Sequence, residues 1–299
     1  MTAPTTAAHA AGTVGAERHG VTVAVDGTDA GLRAVRWAAD EAAARHAPLT
    51  ILHAAPYAAG SSGSLRAHAS RILARAYTVA RRHAPQVPAR TLLLEDDPLA
   101  ALVEASRQTG AHGGLLVVGI AGTGRPEDAL VGSLALDLAS RARGSVAVVR
   151  RPGTPDGPVV AAVGDLAEDI AVLTQAHRAA ARRGGVLEVV HAARSAADAA
   201  ETRDALDRVL HVLDKAEPGV RTALHIVRER PFEAVVERSN AAALLVVGSG
   251  GRHHHLLGST SRTAVRLAGC PVLVAVPEHE PGPPATGSSG AGAPVTGPS

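Results

Sequence analysis

The chain has 299 residues, enough for two domains at roughly 100–200 residues each. Hydrophobic residues make up 46% and charged residues 19%, so sizeable cores can be buried and global disorder is excluded. The formal net charge is only +2, and the basic residues, all arginine except Lys215, are scattered along the chain, which argues against dedicated nucleic-acid binding.

Residues 1–18 are small and polar, and residues 278–299 are rich in Gly, Pro, Ser and Ala. Both segments are expected to be flexible tails, because neither can bury enough apolar surface to offset its ordering entropy. The first tail lacks a basic n-region followed by an apolar stretch, and no apolar run in the chain approaches the roughly 20 residues of a membrane span. A cytoplasmic protein that does not enter the membrane is expected.

The first ordered element is the apolar run Val21–Val25, followed by Asp26-Gly27-Thr28. Thr28 or Asp29 can cap a helix marked by Leu32, Val35, Ala39 and Ala42 at helical spacing. A second run, Leu49–His53, leads to a helix marked by Leu65, Ala69, Ile72, Leu73, Ala76 and Ala80. Glu95-Asp96-Asp97 precedes Pro98, which suits the first turn of a third helix carrying Leu99, Leu102 and Val103. Those carboxylates are positioned either to cap that helix or to assist a magnesium ion. Then come the run Leu115–Gly119, a glycine-rich loop, a helix from Ser133 to about residue 142, and the run Ser145–Val149.

After the Pro/Gly-rich linker at 153–158 the pattern repeats. Val159–Val163, Leu187–His191, Leu244–Gly248 and Pro271–Ala275 answer the four quoted runs in the same order, at offsets between 126 and 138. One domain is therefore used twice, over 19–152 (copy one) and 159–277 (copy two). Short Val/Leu runs alternating with helical patterns give an α/β fold with two tandem doubly wound parallel sheets of five strands each.

In such a sheet, ligands sit beyond the carboxyl ends of the strands, where strand order reverses. Two loops of copy one qualify: Asp26-Gly27-Thr28, and Gly119 through Gly122 and Gly132 to Ser133. Glycines admit a phosphate close to the backbone, and the free amides of Ser133 and Leu134 at a helix start attract anions. Asp26 could accept hydrogen bonds from ribose or adenine. On local chemistry alone the alternative stands beside this one, since glycines after strands and an Asp before Gly-Thr also serve as ordinary turn residues. The chain has neither Gly-Lys-Ser/Thr nor Gly-x-Gly-x-x-Gly after its first strand.

The remaining candidates read as structural. His253–His255 are adjacent and have no close acidic or cysteine neighbour, so they read as a solvated loop and not as a zinc site. Cys270, the only cysteine, precedes an apolar run and reads as a packed residue. The aromatics are Trp37, Tyr57, Tyr77 and Phe232, too few for base-stacking platforms. No Ser/His/Asp order suggests a triad.

VAVDGT at 23–28, the helix from Ala30 to Trp37, ILHAAP, LLVVG and the closing strand together resemble the universal stress protein family. Its Gly-x2-Gly-x9-Gly-Ser/Thr signature is complete in copy one: Gly119, Gly122, nine residues (123–131), Gly132 and Ser133. The resemblance implies an adenine-nucleotide-binding domain of the adenine nucleotide alpha hydrolase-like type, with strand order 3-2-1-4-5. It also implies pairing through the fifth strands, so that the two copies form an intramolecular pseudo-dimer, with further homodimerisation left open.

By the same resemblance, Ala24, Val25, Asp26, Ala54, Val118, Gly119, Gly122, Gly132, Ser133 and Leu134 would hold ATP, with Mg2+ as its companion and no metal held by the protein alone. A backbone amide cradle reads anions generally, so other adenine ligands such as cyclic AMP stay open. Copy two departs from the pattern. Gly164 stands at the aspartate position, and the loop through Gly248, Gly251, Gly258 and Ser259 has six spacer residues in place of nine. It is expected to be the weaker site. The implied role is regulatory or protective, exerted through an unnamed client protein. The alternatives are slow ATP hydrolysis or adenylation, and a nucleotide-free scaffold.

Overall fold

The computed structural model describes residues 20–56, 63–120, 133–228, 230–250 and 257–277. Copy one runs β1 (Val21–Ala24), α1 (Asp29–Ala44), β2 (Leu49–Ala54), α2 (Gly63–His83), β3 (Ala89–Leu94), α3 (Pro98–Gly110), β4 (Leu115–Gly119), α4 (Ser133–Arg141) and β5 (Val146–Val149). Copy two repeats the order: β6 (Val159–Val163), α5 (Ile170–Arg182), β7 (Val186–Ala192), α6 (Ala196–Ala216), β8 (Arg221–Val227), α7 (Pro231–Ser239), β9 (Leu244–Gly248), α8 (Ser259–Leu267) and β10 (Val272–Ala275).

All ten strands join one sheet in the order β3-β2-β1-β4-β5-β10-β9-β6-β7-β8. Each half is internally parallel and has the expected 3-2-1-4-5 order. Central strands are buried on both faces: Leu115, Leu116, Val117 and Val118 are all at most 5% exposed. Their side chains alternate between two cores. One core lies under α1, α2, α5 and α6, and the other under α3, α4, α7 and α8. Helices approach closely because they present alanine: Ala34, Ala38, Ala39 and Ala42 of α1 are fully buried. Trp37, half-buried on α1, packs against the first core. The outer strands β3 and β8 are the least buried, as sheet edges require.

The halves meet at β5 and β10, the antiparallel pair of the sheet, with Val148 opposite Val272 and Ala147 opposite Leu273. Because that pair is antiparallel, the carboxyl edges of the two halves point in opposite directions. Polar contacts reinforce the seam. Ser145 Oγ accepts from Val276 N (3.1 Å) and from Gln175 Nε2 (2.8 Å). Arg150 Nη2 donates to the carbonyls of Leu267 and Ala268 at the end of α8. On the α1/α5 side, Glu41 is 2% exposed and binds Arg45 (2.7 Å) from its own helix. Across the seam it also binds Arg182 (3.3 Å) and Arg183 (2.6 Å). Burial alone would push the Glu41 carboxyl up, but Arg183, Arg45 and Arg182 outweigh it and hold its pKa down at about 2.

The connection between the halves is held against copy two. Thr154 N donates to Ala242 O (2.9 Å), and a Cβ on Gly153 or Gly157 would strike the Ala243 or Ala241 carbonyl.

Candidate functional site

In copy one, β1 lies between β2 and β4, so strand order reverses there, the place on the carboxyl edge where open α/β sheets form their ligand crevice. The register sets Ala24 beside Leu52 on one side and Val118 on the other. Val25 N donates to Leu52 O (2.8 Å), and the Val25 carbonyl accepts from His53 Nδ1 (2.7 Å). A carbonyl can only accept, so His53 carries a proton on Nδ1. This buried bond fixes the end of β1 against the end of β2.

The chain then turns sharply. Asp26 Oδ1 accepts from Thr28 N (2.9 Å) and Thr28 Oγ1 (2.6 Å), and Thr28 Oγ1 accepts from Gly31 N (3.2 Å) to cap α1. Gly27 makes the turn at φ +88°, a left-handed conformation that favours glycine. Asp26 is left exposed at the crevice mouth, with the small, half-buried Ala24 and Ala54 behind it. Val25 and Val118 bury their side chains in opposite cores, so only their backbones face the edge. Gly119 has a packing reason of its own, since a Cβ there would lie 2.5 Å from the Ala30 carbonyl of α1. Ser133 and Leu134 open α4 at this edge, with Leu134 exposed. Gly122 and Gly132 lie outside the described residues.

Copy two repeats the frame and changes the mouth. His191 Nδ1 donates to Val163 O (3.1 Å), the counterpart of the His53–Val25 bond, with the same separation of 28 residues. That fixes Gly164 as the counterpart of Asp26 with no slip in register. Buried positions of α1 and α5 also align at an offset of 138: Ala34, Val35 and Ala38 match Val172, Leu173 and Ala176. Gly31 therefore corresponds to Asp169. The aspartate and the glycine have exchanged places between the copies. The α5 helix begins at Ile170, three residues later than the α1 pattern would place it, after a separate turn in which Asp165 accepts from Ala167 N through its side chain and from Glu168 N and Asp169 N through its carbonyl.

At the far side of copy two, Gly248 ends β9 and its carbonyl accepts from Ser261 Oγ (2.7 Å) of α8. Gly258 caps α8 without a side-chain bond, with nothing within 4 Å of its Cβ position, and Ser259 is the first helical residue. Gly251 and His253–His255 lie outside the described residues.

Other sequence candidates fall into structural roles. Asp97 caps α3 by accepting from Ala100 N (3.0 Å), and Glu95 pairs with Arg66 (2.9 Å). Burial pushes the Cys270 thiol up to about 12, which disfavours the thiolate. Sequence reasoning missed the His53 and His191 ties, Asp169 and the Glu41 cluster. The first three are carried by the repeat itself, because the offset of 138 residues that relates the first two strands also pairs His53 with His191 and Gly31 with Asp169. Glu41 has no counterpart, because Ala179 stands at its place in copy two.

The universal stress protein family profile matches residues 17–150 and again 157–276. A universal stress protein of Mycobacterium tuberculosis (strain ATCC 25618 / H37Rv) is 31% identical over 290 residues, covering 86% of this chain and 96% of the relative. Another from that strain is 29% identical over 268 residues, covering 85% and 95%. Among solved structures, a universal stress protein from Archaeoglobus fulgidus DSM 4304 superposes with a TM-score of 0.71 at 17% identity, covering 85% of this chain and 97% of the other.

Proposed function

The chain belongs to the universal stress protein family, and from that premise we propose that it is a regulatory or protective module that binds one ATP, in copy one. The observation that carries this reading is the crevice where strand order reverses. There the Asp26 turn, the small residues Ala24 and Ala54, and the start of α4 share one carboxyl edge. The chemistry fits an adenine nucleotide: an exposed carboxylate for sugar or base hydroxyl and amino donors, and helix amides for phosphate. Gly122, Gly132 and Ser133 enter this reading on spacing. Magnesium would arrive with the nucleotide, since among the described residues no group of three His, Cys, Asp or Glu side chains is placed to hold a metal.

Binding without dedicated catalysis is the favoured reading, because no described residue at the crevice is poised as a general base toward a phosphate. Calorimetry with ATP tests it. One equivalent should bind the full chain, Gly132→Val should abolish it by filling the phosphate approach, and Gly258→Val should leave it intact. Two equal sites, no binding, or binding that survives Gly132→Val would overturn the assignment to copy one. Turnover of labelled ATP many-fold above a protein-free control would favour the hydrolase alternative.

A further inference from the structure

The crevice of copy two is bridged by a carboxylate of the protein itself. Asp169 Oδ2 accepts from Gly164 N (2.7 Å), the first residue after β6. Its Oδ1 lies over Gly248, the last residue of β9, where an added Cβ would come within 2.6 Å of it. Since β6 and β9 are neighbours, this one side chain spans the gap between their ends. In copy one the same place is held by backbone: Gly119 packs on Ala30 and Gly31 of α1, and the exposed carboxylate of Asp26 lies beside Gly31 without reaching between the strand ends.

We infer that Asp169 is a specificity determinant that keeps phosphorylated nucleotides out of copy two by acting as a built-in counter-anion. The inference rests on the reading of copy one as a nucleotide site. The N–H of Gly164, which would otherwise be available to an anion at the strand end, is already taken by a carboxylate. Asp165 and Glu168, both exposed, flank it in the turn that precedes α5. Burial first, and then those two neighbours, raise the Asp169 pKa against the backbone hydrogen bonds of Gly164 and Asp165. A polyphosphate entering here would bring several negative charges up against the half-buried Asp169 carboxylate. The Ser261–Gly248 bond ties α8 to the same strand end.

The test exchanges the two residues as the molecule itself has done. Calorimetry with ATP is run on the full chain and on the pair Gly164→Asp/Asp169→Gly, which gives copy two the copy-one arrangement. The single change Asp169→Asn, which removes the charge at nearly constant volume, serves where the pair fails to fold. The expected result is one additional equivalent of ATP, bound about 10- to 100-fold more tightly than by the parent copy two. A variant with unchanged thermal unfolding and no gain over the parent would overturn the inference and place the exclusion in the shortened loop. The gain is read as a difference from the parent. A parent that binds nothing refutes the copy-one reading alone, and the exchange still decides the role of Asp169.

Discussion

A residue's chemistry in this chain is set by where the sheet places it. Cys270 is 1% exposed, and burial holds its thiol near 12, so almost none is thiolate at neutral pH. A thiol-reactive reagent at pH 7.5 should therefore leave the folded protein unlabelled and react fully once denaturant is added. Stoichiometric labelling of the native chain would contradict the buried placement. His53 and His191 show the reverse case, polar groups kept inside because each bonds the carbonyl that ends the first strand of its copy. Aspartate 26 and glycine 164 were both legible as positions, yet the meaning of the second was not. The apolar runs repeat strand by strand, whereas Asp169 stands at the N-cap of α5, where periodicity carries no signal.

Among the elements, α1 and α5 carry the tightest electrostatic contact across the seam. Among the described residues, Glu41 is the one acid shown within hydrogen-bonding reach of Arg45, Arg182 and Arg183, and removing its charge leaves those guanidiniums facing one another. Glu41→Gln should cost about 3–5 kcal/mol at pH 7, as expected for breaking a buried ionic cluster, measured by denaturant unfolding. The pH dependence has a definite sign. The folded pKa, about 2, lies below the ordinary 4.5, so the stabilisation is complete above 4.5 and is lost as pH falls toward 2. The gap between parent and variant should close over that window. A gap that is constant down to pH 2.5 would mean that the charge is not what matters. Strand content, helix content and their order were readable because Val/Leu runs and alanine-faced helices each have a period. The Glu41–Arg45 pair has local i,i+4 spacing, but Arg182 and Arg183 lie about 140 residues away in sequence and no local pattern joins them to it.

For the molecule as a whole, ten strands in one sheet make the two repeats a single cooperative body. The seam combines strand pairing, the Ser145 and Arg150 contacts and the Glu41 cluster. Trp37 belongs to copy one alone, so its fluorescence follows that half, whereas far-ultraviolet circular dichroism follows both. The two signals should give one coincident unfolding transition. A dichroism step without a matching fluorescence step would mean that copy two unfolds by itself and that the seam couples the halves weakly.

The seam also sets a schedule for synthesis. Val146, Ala147, Val148 and Val149 are at most 2% exposed in the finished protein, with β10 pairing three of them. That partner is made roughly 120 residues later, which at about 5–20 residues per second leaves the edge of β5 open for some 6–25 s. During that interval a ribosome-bound first half presents a short, unpaired, fully apolar strand, the kind of edge that recruits a second copy of itself. Neighbouring nascent chains on one message therefore compete with the chain's own second half for the same strand. The close tether through residues 151–158, held down at Thr154, favours the intramolecular partner once it emerges, because its local concentration exceeds that of any other chain.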